Sequence, residues 1–191
     1  MNNLCFVPYL FQVVLVENKE QSLNRALARF SVLELSNVTA VQCNLNCFQM
    51  SFDIGVSLHA CGVVTDLVIK KCIESAASFV VCPCCYGAVR NNHLVQYPRS
   101  VQYIDAGVSY ADYLILGHAA DQTQSSTPKE GQGHSCMTYI DSDRMQAAIE
   151  QGYHVTLCRM TPPSCSPKNH IITGLNHMLS ESQKVKDVAL V

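Results

Sequence analysis

"SFDIGVSLHACGVVTDLVIKKCIESAASFVVCPCCYG", Ser51 to Gly87, alternates apolar runs with a helical pattern and decides the fold. Phe52 to Leu58 reads as a strand, and Thr65 is placed to cap a helix running to about Ala76. Ser78 to Cys82 is a continuous apolar run, as expected of a strand buried on both faces of a parallel sheet. Upstream, the β-branched run Val13 to Val16 closes at Glu17. Leu23, Ala26, Leu27 and Phe30 then recur at helical spacing, with Arg25 and Arg29 on the other side, before "NVTAVQCNL", Asn37 to Leu45, supplies another strand. Strands alternating with helices predict an α/β chain with a doubly wound, mostly parallel sheet and right-handed crossovers.

Downstream of Gly87 the pattern loosens. Tyr110 to Ala120 reads as a helix, the polar stretch Asp121 to Ser135 as a mobile surface loop, and Met137 to about Gln151 as a further helix. "YHVTLCRM", Tyr153 to Met160, and "HIITGL", His170 to Leu175, flank the Pro-rich "TPPSCSPKN", which predicts an antiparallel C-terminal pair. After Asn176 the pattern fades, so residues 1–176 are expected to form one partial domain and 177–191 a disordered tail.

The composition narrows the classes. With 191 residues, 48% of them hydrophobic and 15% charged, the chain is long enough for one ordinary core. A net charge of -2 gives no sequence-wide attraction to nucleic-acid phosphates, so an RNA contact would need a local patch such as Arg25 with Lys168. No run approaches the roughly 18 apolar residues that cross a bilayer, and the first sixteen residues lack the pattern of a secretory signal. Eleven cysteines, an odd count in a chain of this length, suit a reducing compartment with mostly free thiols, which places the protein in the cytoplasm.

In an open parallel sheet, ligands sit at the carboxyl ends of the strands. Those ends are Glu17-Asn18, Asn44-Leu45, His59 to Gly62 and Cys82 to Tyr86, with Thr161 to Asn169 on the same edge if its strand runs parallel. Five loops are thus expected to converge on one crevice. A strand-end acid such as Glu17 is the group that accepts hydrogen bonds from ribose hydroxyls, although it equally suits a solvated helix start. Asn44 has an amide able to meet an adenine edge, or to sit in a turn.

"VVLVENKEQSLNRA", "SFDIGVSLHACGVVTD", "CPCCYG" and "SCSPKNH", in this order from about Val13 to Gly174, resemble the Rossmann-like S-adenosylmethionine-dependent methyltransferase domain of the glutathione S-transferase C-terminal domain-containing family. A group of RNA-modifying methyltransferases is more loosely similar. The resemblance implies that Glu17 holds the cofactor ribose, with Asn18 also among the cofactor-binding residues, that Asn44 and Leu45 flank its adenine, and that His59 to Gly62, including Cys61, border its methionine end. Such domains begin with a strand and a Gly-rich turn, whereas this chain has no glycine before Gly55. The sheet is therefore expected to lack its first strand and that turn, as an N-terminally truncated fragment would, with exposed strand edges and poor solubility unless Leu4 to Phe11 covers the gap.

The thiols have several readings. Zinc held by Cys82, Cys84 and Cys85 with His59 or Cys61 is disfavoured, because C-P-C-C lacks the two-to-four-residue spacing of chelating pairs, so no metal is assigned. Cys84 or Cys85 at a helix start, with His59 as base, would make a nucleophile, but methyl transfer from a sulfonium needs no covalent intermediate. The preferred reading is that these thiols line the rim of a crevice, with Cys84, Cys85, Tyr86, Lys168 and Asn169 at the substrate edge; Lys168 and Asn169 equally fit a solvated loop. His118, His154, His170 and His177 receive no role. The functional expectation is an S-adenosylmethionine-dependent methyltransferase domain with an unknown acceptor, RNA being the class the looser resemblance suggests. Its rivals are a degenerate, non-catalytic module acting in partner binding and, more weakly, a thiol-based redox or metal protein.

Overall fold

A computed structural model describes residues 11–90, 93–123, 128–176 and, for the backbone, 187–190. The runs read as strands form β1 (Gln12–Glu17), β2 (Val38–Gln42), β3 (Ile54–Leu58), β4 (Ser78–Cys82), β5 (Tyr153–Arg159) and β6 (His170–Asn176). Between them lie α1 (Glu20–Val32), α2 (Val63–Glu74), the short α3 (Val101–Asp105), α4 (Tyr110–Ala120) and α5 (Glu130–Ile149). A last strand, β7 (Asp187–Leu190), completes the sheet. The order is β2-β1-β7-β3-β4-β6-β5. All neighbours pair in parallel except β6, which is antiparallel to both β4 and β5, so β5 runs with the rest. The α/β Rossmann-like sheet with a C-terminal antiparallel strand is therefore as expected.

The gap foreseen in the sheet is closed in an unforeseen way. β7 lies between β1 and β3, with Val188 opposite both Val13 and Ile54. The tail was expected to be disordered, yet Asp187–Leu190 is a central strand, because the facing N–H and C=O groups of β1 and β3 need a partner. Residues 4–10, considered above as cover for this gap, and residues 177–186 lie outside the described residues.

Helix limits differ where side-chain chemistry overrides periodicity. Thr65 does not cap α2; Gly62 stands at the cap position, and the Thr65 hydroxyl donates to the Ala60 carbonyl at 2.6 Å inside the first turn. α4 begins as expected and is held by a capping box in which Ser109 and Asp112 exchange hydrogen bonds. α5 starts at Glu130, so Glu130–Ser135 of the supposed loop is helical, while residues 124–127 lie outside the described residues. Gly133 makes that start possible: a Cβ there would stand 2.4 Å from the Gln122 carbonyl oxygen.

Two apolar clusters flank a buried ionic centre. Val14, Val16, Val68, Ile69, Phe79, Val81 and Ile172 belong to one cluster, and Leu67, Val89, Tyr97, Tyr113, Met137 and Ile140 to the other. Between α2 and α5, the Arg144 guanidinium donates through Nε and Nη2 to both oxygens of Asp66, each at 2.9 Å, and through Nη1 to Asp141 at 3.0 Å. Asp66 and Asp141 are fully buried. The Tyr97 hydroxyl donates to Asp66, and the Tyr86 hydroxyl to Asp141, both at 2.8 Å. His170, which received no role from sequence, stands with Nδ1 2.7 Å from Asp141. Burial alone would raise the Asp66 carboxyl, but the Arg144 guanidinium outweighs it and holds the group below its ordinary value.

Three outcomes are expected. Arg144→Met should cost about 3–5 kcal/mol in urea unfolding, because it strands two buried carboxylates. Since the Asp66 carboxyl is depressed in the folded state, its contribution is present above its ordinary unfolded value and is lost as pH falls through the folded one, so wild-type stability should drop in acid. A chain ending at residue 186 should expose the facing edges of β1 and β3, and static light scattering should show it associating where the full chain does not.

Candidate functional site

At the carboxyl ends of β1, β2 and β3 a cavity of about 750 Å³ opens. The first loop contributes Glu17, Asn18 and Lys19, the second Cys43 to Asn46, and the third Leu58 to Cys61; Val63, Val64 and Leu67 of α2 form the wall. All six residues expected around a cofactor, Glu17, Asn18, Asn44, Leu45, His59 and Cys61, line it together. Ser22 of α1, with His93 and Leu94, also reaches it and was not foreseen, since nothing in local spacing ties residues 93 and 94 to these strand ends.

Each loop is held by its own chemistry. Glu17 is half-buried; one carboxylate oxygen accepts the Lys19 amide at 2.9 Å, and the other has no partner among the described residues. Asn18 Nδ2 donates to Asn44 Oδ1 at 2.9 Å, which ties the first two strand ends and leaves the Asn44 amide nitrogen unengaged among the described residues. Leu45 begins a 3-10 turn, Leu45–Cys47. The third loop turns through two left-handed residues, His59 with φ 55° and Gly62 with φ 59°. At Gly62 only glycine suits the turn, because a Cβ would also meet the Ala88 carbonyl oxygen at 2.3 Å. That close approach brings the loop after β3 against the loop after β4.

There the thiols meet. Cys61 Sγ lies 3.3 Å from Cys84 Sγ and 3.2 Å from Cys85 Sγ, and Cys84 and Cys85 stand 3.6 Å apart. Cys82 is separate: it is buried, 3.6 Å from the Lys168 carbonyl oxygen and 4.0 Å from His59 Nδ1, and burial pushes its thiol up to about 11. No helix begins at Cys84 or Cys85, and burial followed by hydrogen bonding to Cys61 raises both thiols, so the lowered pKa a nucleophile would need is absent. The described cysteines are all free thiols.

The remaining residues expected at a substrate edge are engaged elsewhere. Tyr86 is buried under the Arg144 and Lys168 cations, each 5.2 Å from its ring centre. The Lys168 ammonium donates to the Ala120 carbonyl and stands 3.6 Å from Asp121, and burial lowers its pKa. Asn169 donates to the Pro163 carbonyl at 2.7 Å, which closes the loop after β5 on itself. Of the five loops expected to converge, three line the cavity, and the loop after β4 touches it through Cys61. Arg25 is exposed on α1, and its supposed patch-mate Lys168 is taken by Asp121. Asp121, which carried no sequence signal beyond ending a helix, accepts the Tyr86 and Gly87 amides at 2.9 Å each and so fixes the Cys84-Cys85 loop.

Residues 3–92 match a family model described as a methyltransferase domain. The chain is 48% identical over 166 residues to the glutathione S-transferase C-terminal domain-containing protein of Homo sapiens and 47% identical over 166 residues to that of Bos taurus, each match covering 86% of this chain and 26% of the relative. The homolog from Drosophila melanogaster is 41% identical over 168 residues, covering 85% of this chain and 28% of its own length. Over most of its length the chain is homologous to part of these proteins, and its first half matches the methyltransferase model. It spans 26% of the length of the mammalian relatives. Among solved structures, PKMT2 from Rickettsia typhi in complex with AdoHcy superposes with a TM-score of 0.34 at 12% identity, covering 85% of this chain and 43% of that one. No described helix of the chain is long and apolar enough to cross a membrane.

Asp121→Asn should cost the chain about 2 kcal/mol of stability, because the amide group offers only one acceptor to the Tyr86 and Gly87 N–H groups. Urea unfolding measures it, and an unchanged midpoint would show that the loop after β4 does not depend on this clamp.

Proposed function

We propose that the chain forms the S-adenosylmethionine-binding crevice of a methyltransferase. One observation carries this reading: an acid, two amides and an apolar turn from three successive parallel strand ends face one cavity large enough for a nucleoside. The donor set fits the adenosine half. The unpartnered oxygen of Glu17 accepts from ribose hydroxyls, the Asn44 amide meets the adenine edge, and Leu45 with Val64 and Leu67 gives the ring an apolar bed. His59 to Cys61, with their backbone turned outward by the left-handed residue 59, border the methionine half. Bound there, the cofactor supplies an electrophilic methyl group on a sulfonium. The chain's own part is to hold that methyl in line with an acceptor and exclude water, since direct displacement depends on proximity and orientation.

The rival reading, a non-catalytic module for partner binding, draws on a specific feature: the described lining contains no glycine, so no backbone turn approaches the cofactor as closely as a Gly-rich one does. Isothermal calorimetry with S-adenosylmethionine separates the two. Binding is expected for the chain, and Glu17→Ala should weaken it by about 2 kcal/mol, roughly thirtyfold, while Lys168→Ala, outside the cavity, changes it little. No heat from the folded wild-type chain would favour the partner-binding module. Equal losses in both variants would remove Glu17 from the ribose.

A further inference from the structure

We propose that Cys61, Cys84 and Cys85 form a zinc site at the rim of the crevice, three thiolates from two loops with a fourth position left open. The spacing argument against zinc concerns ligands presented along one loop. Here the loop after β3 supplies one sulfur and the loop after β4 two, and all three lie within 4.8 Å of one another. Adjacent cysteines rarely chelate from a single turn, but Cys84 and Cys85 both point at Cys61, with sulfur–sulfur distances of 3.2 to 3.6 Å.

The ligand chemistry selects the ion. Three soft sulfurs with no carboxylate or imidazole among them disfavour magnesium, calcium and manganese and favour zinc or cuprous copper. A zinc–sulfur bond is about 2.3 Å, longer than the distance from the centre of so small a triangle to its corners. The ion therefore rides above the plane of the sulfurs rather than in it, which suits one face of a zinc tetrahedron better than planar three-coordinate copper. The fourth position falls to water or to a ligand entering from the cavity that Cys61 lines. Binding releases the three thiol protons to solvent and leaves one net negative charge on the ion and its thiolates.

The surroundings look built for this purpose. Gly62 permits the approach of Ala88 that brings the two loops together, and Asp121 clamps the amides immediately after Cys85. Neither a disulfide nor apolar packing uses the whole arrangement: a disulfide leaves one sulfur over, and Cys61 is exposed.

The test uses the full chain without S-adenosylmethionine, so its outcome is independent of the cofactor reading. Protein prepared in zinc-containing medium under reducing conditions should carry one zinc per chain by elemental analysis, and cobalt substituted for it should show sulfur-to-metal charge-transfer absorption. Cys61→Ser, Cys84→Ser and Cys85→Ser should each abolish both signals, whereas Cys158→Ser, at an exposed cysteine outside the cluster, should leave them unchanged. Asp121→Asn, which acts through the loop, should weaken zinc about ten- to a hundredfold in a chelator competition. A folded wild-type chain with neither zinc nor a cobalt–thiolate band would overturn the proposal, as would full zinc retention in all three serine variants. A Cys61–Cys85 disulfide persisting in the reduced protein would overturn it as well.

Discussion

A guanidinium placed between two buried carboxylates sets the positions of most other parts. Arg144 is buried, and so are Asp66 and Asp141, which leaves no water to satisfy any of the three. Each can be folded away only with the others in hydrogen-bonding range, since a single stranded charge in this interior would cost several kcal/mol. The pairing therefore fixes α5 against α2, and its outer partners extend the constraint. Tyr97 brings in the segment before α3, His170 the start of β6, and Tyr86 the loop after β4. The tyrosine that ends C-P-C-C-Y is thus an anchor whose hydroxyl is occupied in the core, while Cys84 and Cys85 ahead of it stay partly exposed.

This arrangement divides the sheet's carboxyl edge into two halves. On the β2-β1-β3 side the loops are short, tied to each other by Asn18 and Asn44, and open onto the cavity. On the β4-β6-β5 side they are closed by internal bonds: Asn169 to Pro163, Lys168 to Ala120 and Asp121, and Asp121 to Tyr86 and Gly87. Among the described residues, the open half leaves one Glu17 oxygen and the Asn44 amide nitrogen unengaged, whereas Lys168, Asn169 and Asp121 of the closed half are all occupied. That asymmetry is what favours the first three loops for the proposed nucleoside ligand.

Much of this was legible in the sequence, and the reasons for the failures are physical. Strands buried on both faces announce themselves as apolar runs, which is why β1, β3 and β4 and the acid, amide and histidine at the strand ends could be placed. β7 could not, because four residues carry little periodicity and its pairing depends on edges more than a hundred positions away in the chain. The start of α5 was hidden by Gly131, Gly133 and polar neighbours, which intrinsic propensity disfavours and the close approach of Gly133 to Gln122 and Thr123 overrides. Lys168 looked available for a phosphate because charge in a Pro-rich loop ordinarily faces water; its ammonium instead lies over the Tyr86 ring and donates to the carbonyl at the end of α4. Asp66, Asp141, Arg144 and His170 sit within helical or strand patterns and give no sign along the chain that they share one centre.

The cysteine motif shows most clearly how spacing and fold answer different questions. Read along the chain, C-P-C-C offers no chelating pair, and that judgement is sound for a loop acting alone. In space the third sulfur comes from the neighbouring strand end, at the one residue that also faces the cavity. Cys61 therefore stands where the two proposed sites meet. Any group that draws the three sulfurs together fixes the turn from His59 to Gly62, and that turn forms the wall where the reactive end of a bound nucleoside ligand would lie. A site at these thiols would thus act on the crevice by stiffening its least regular wall, where two left-handed residues and no β-ladder hold the backbone.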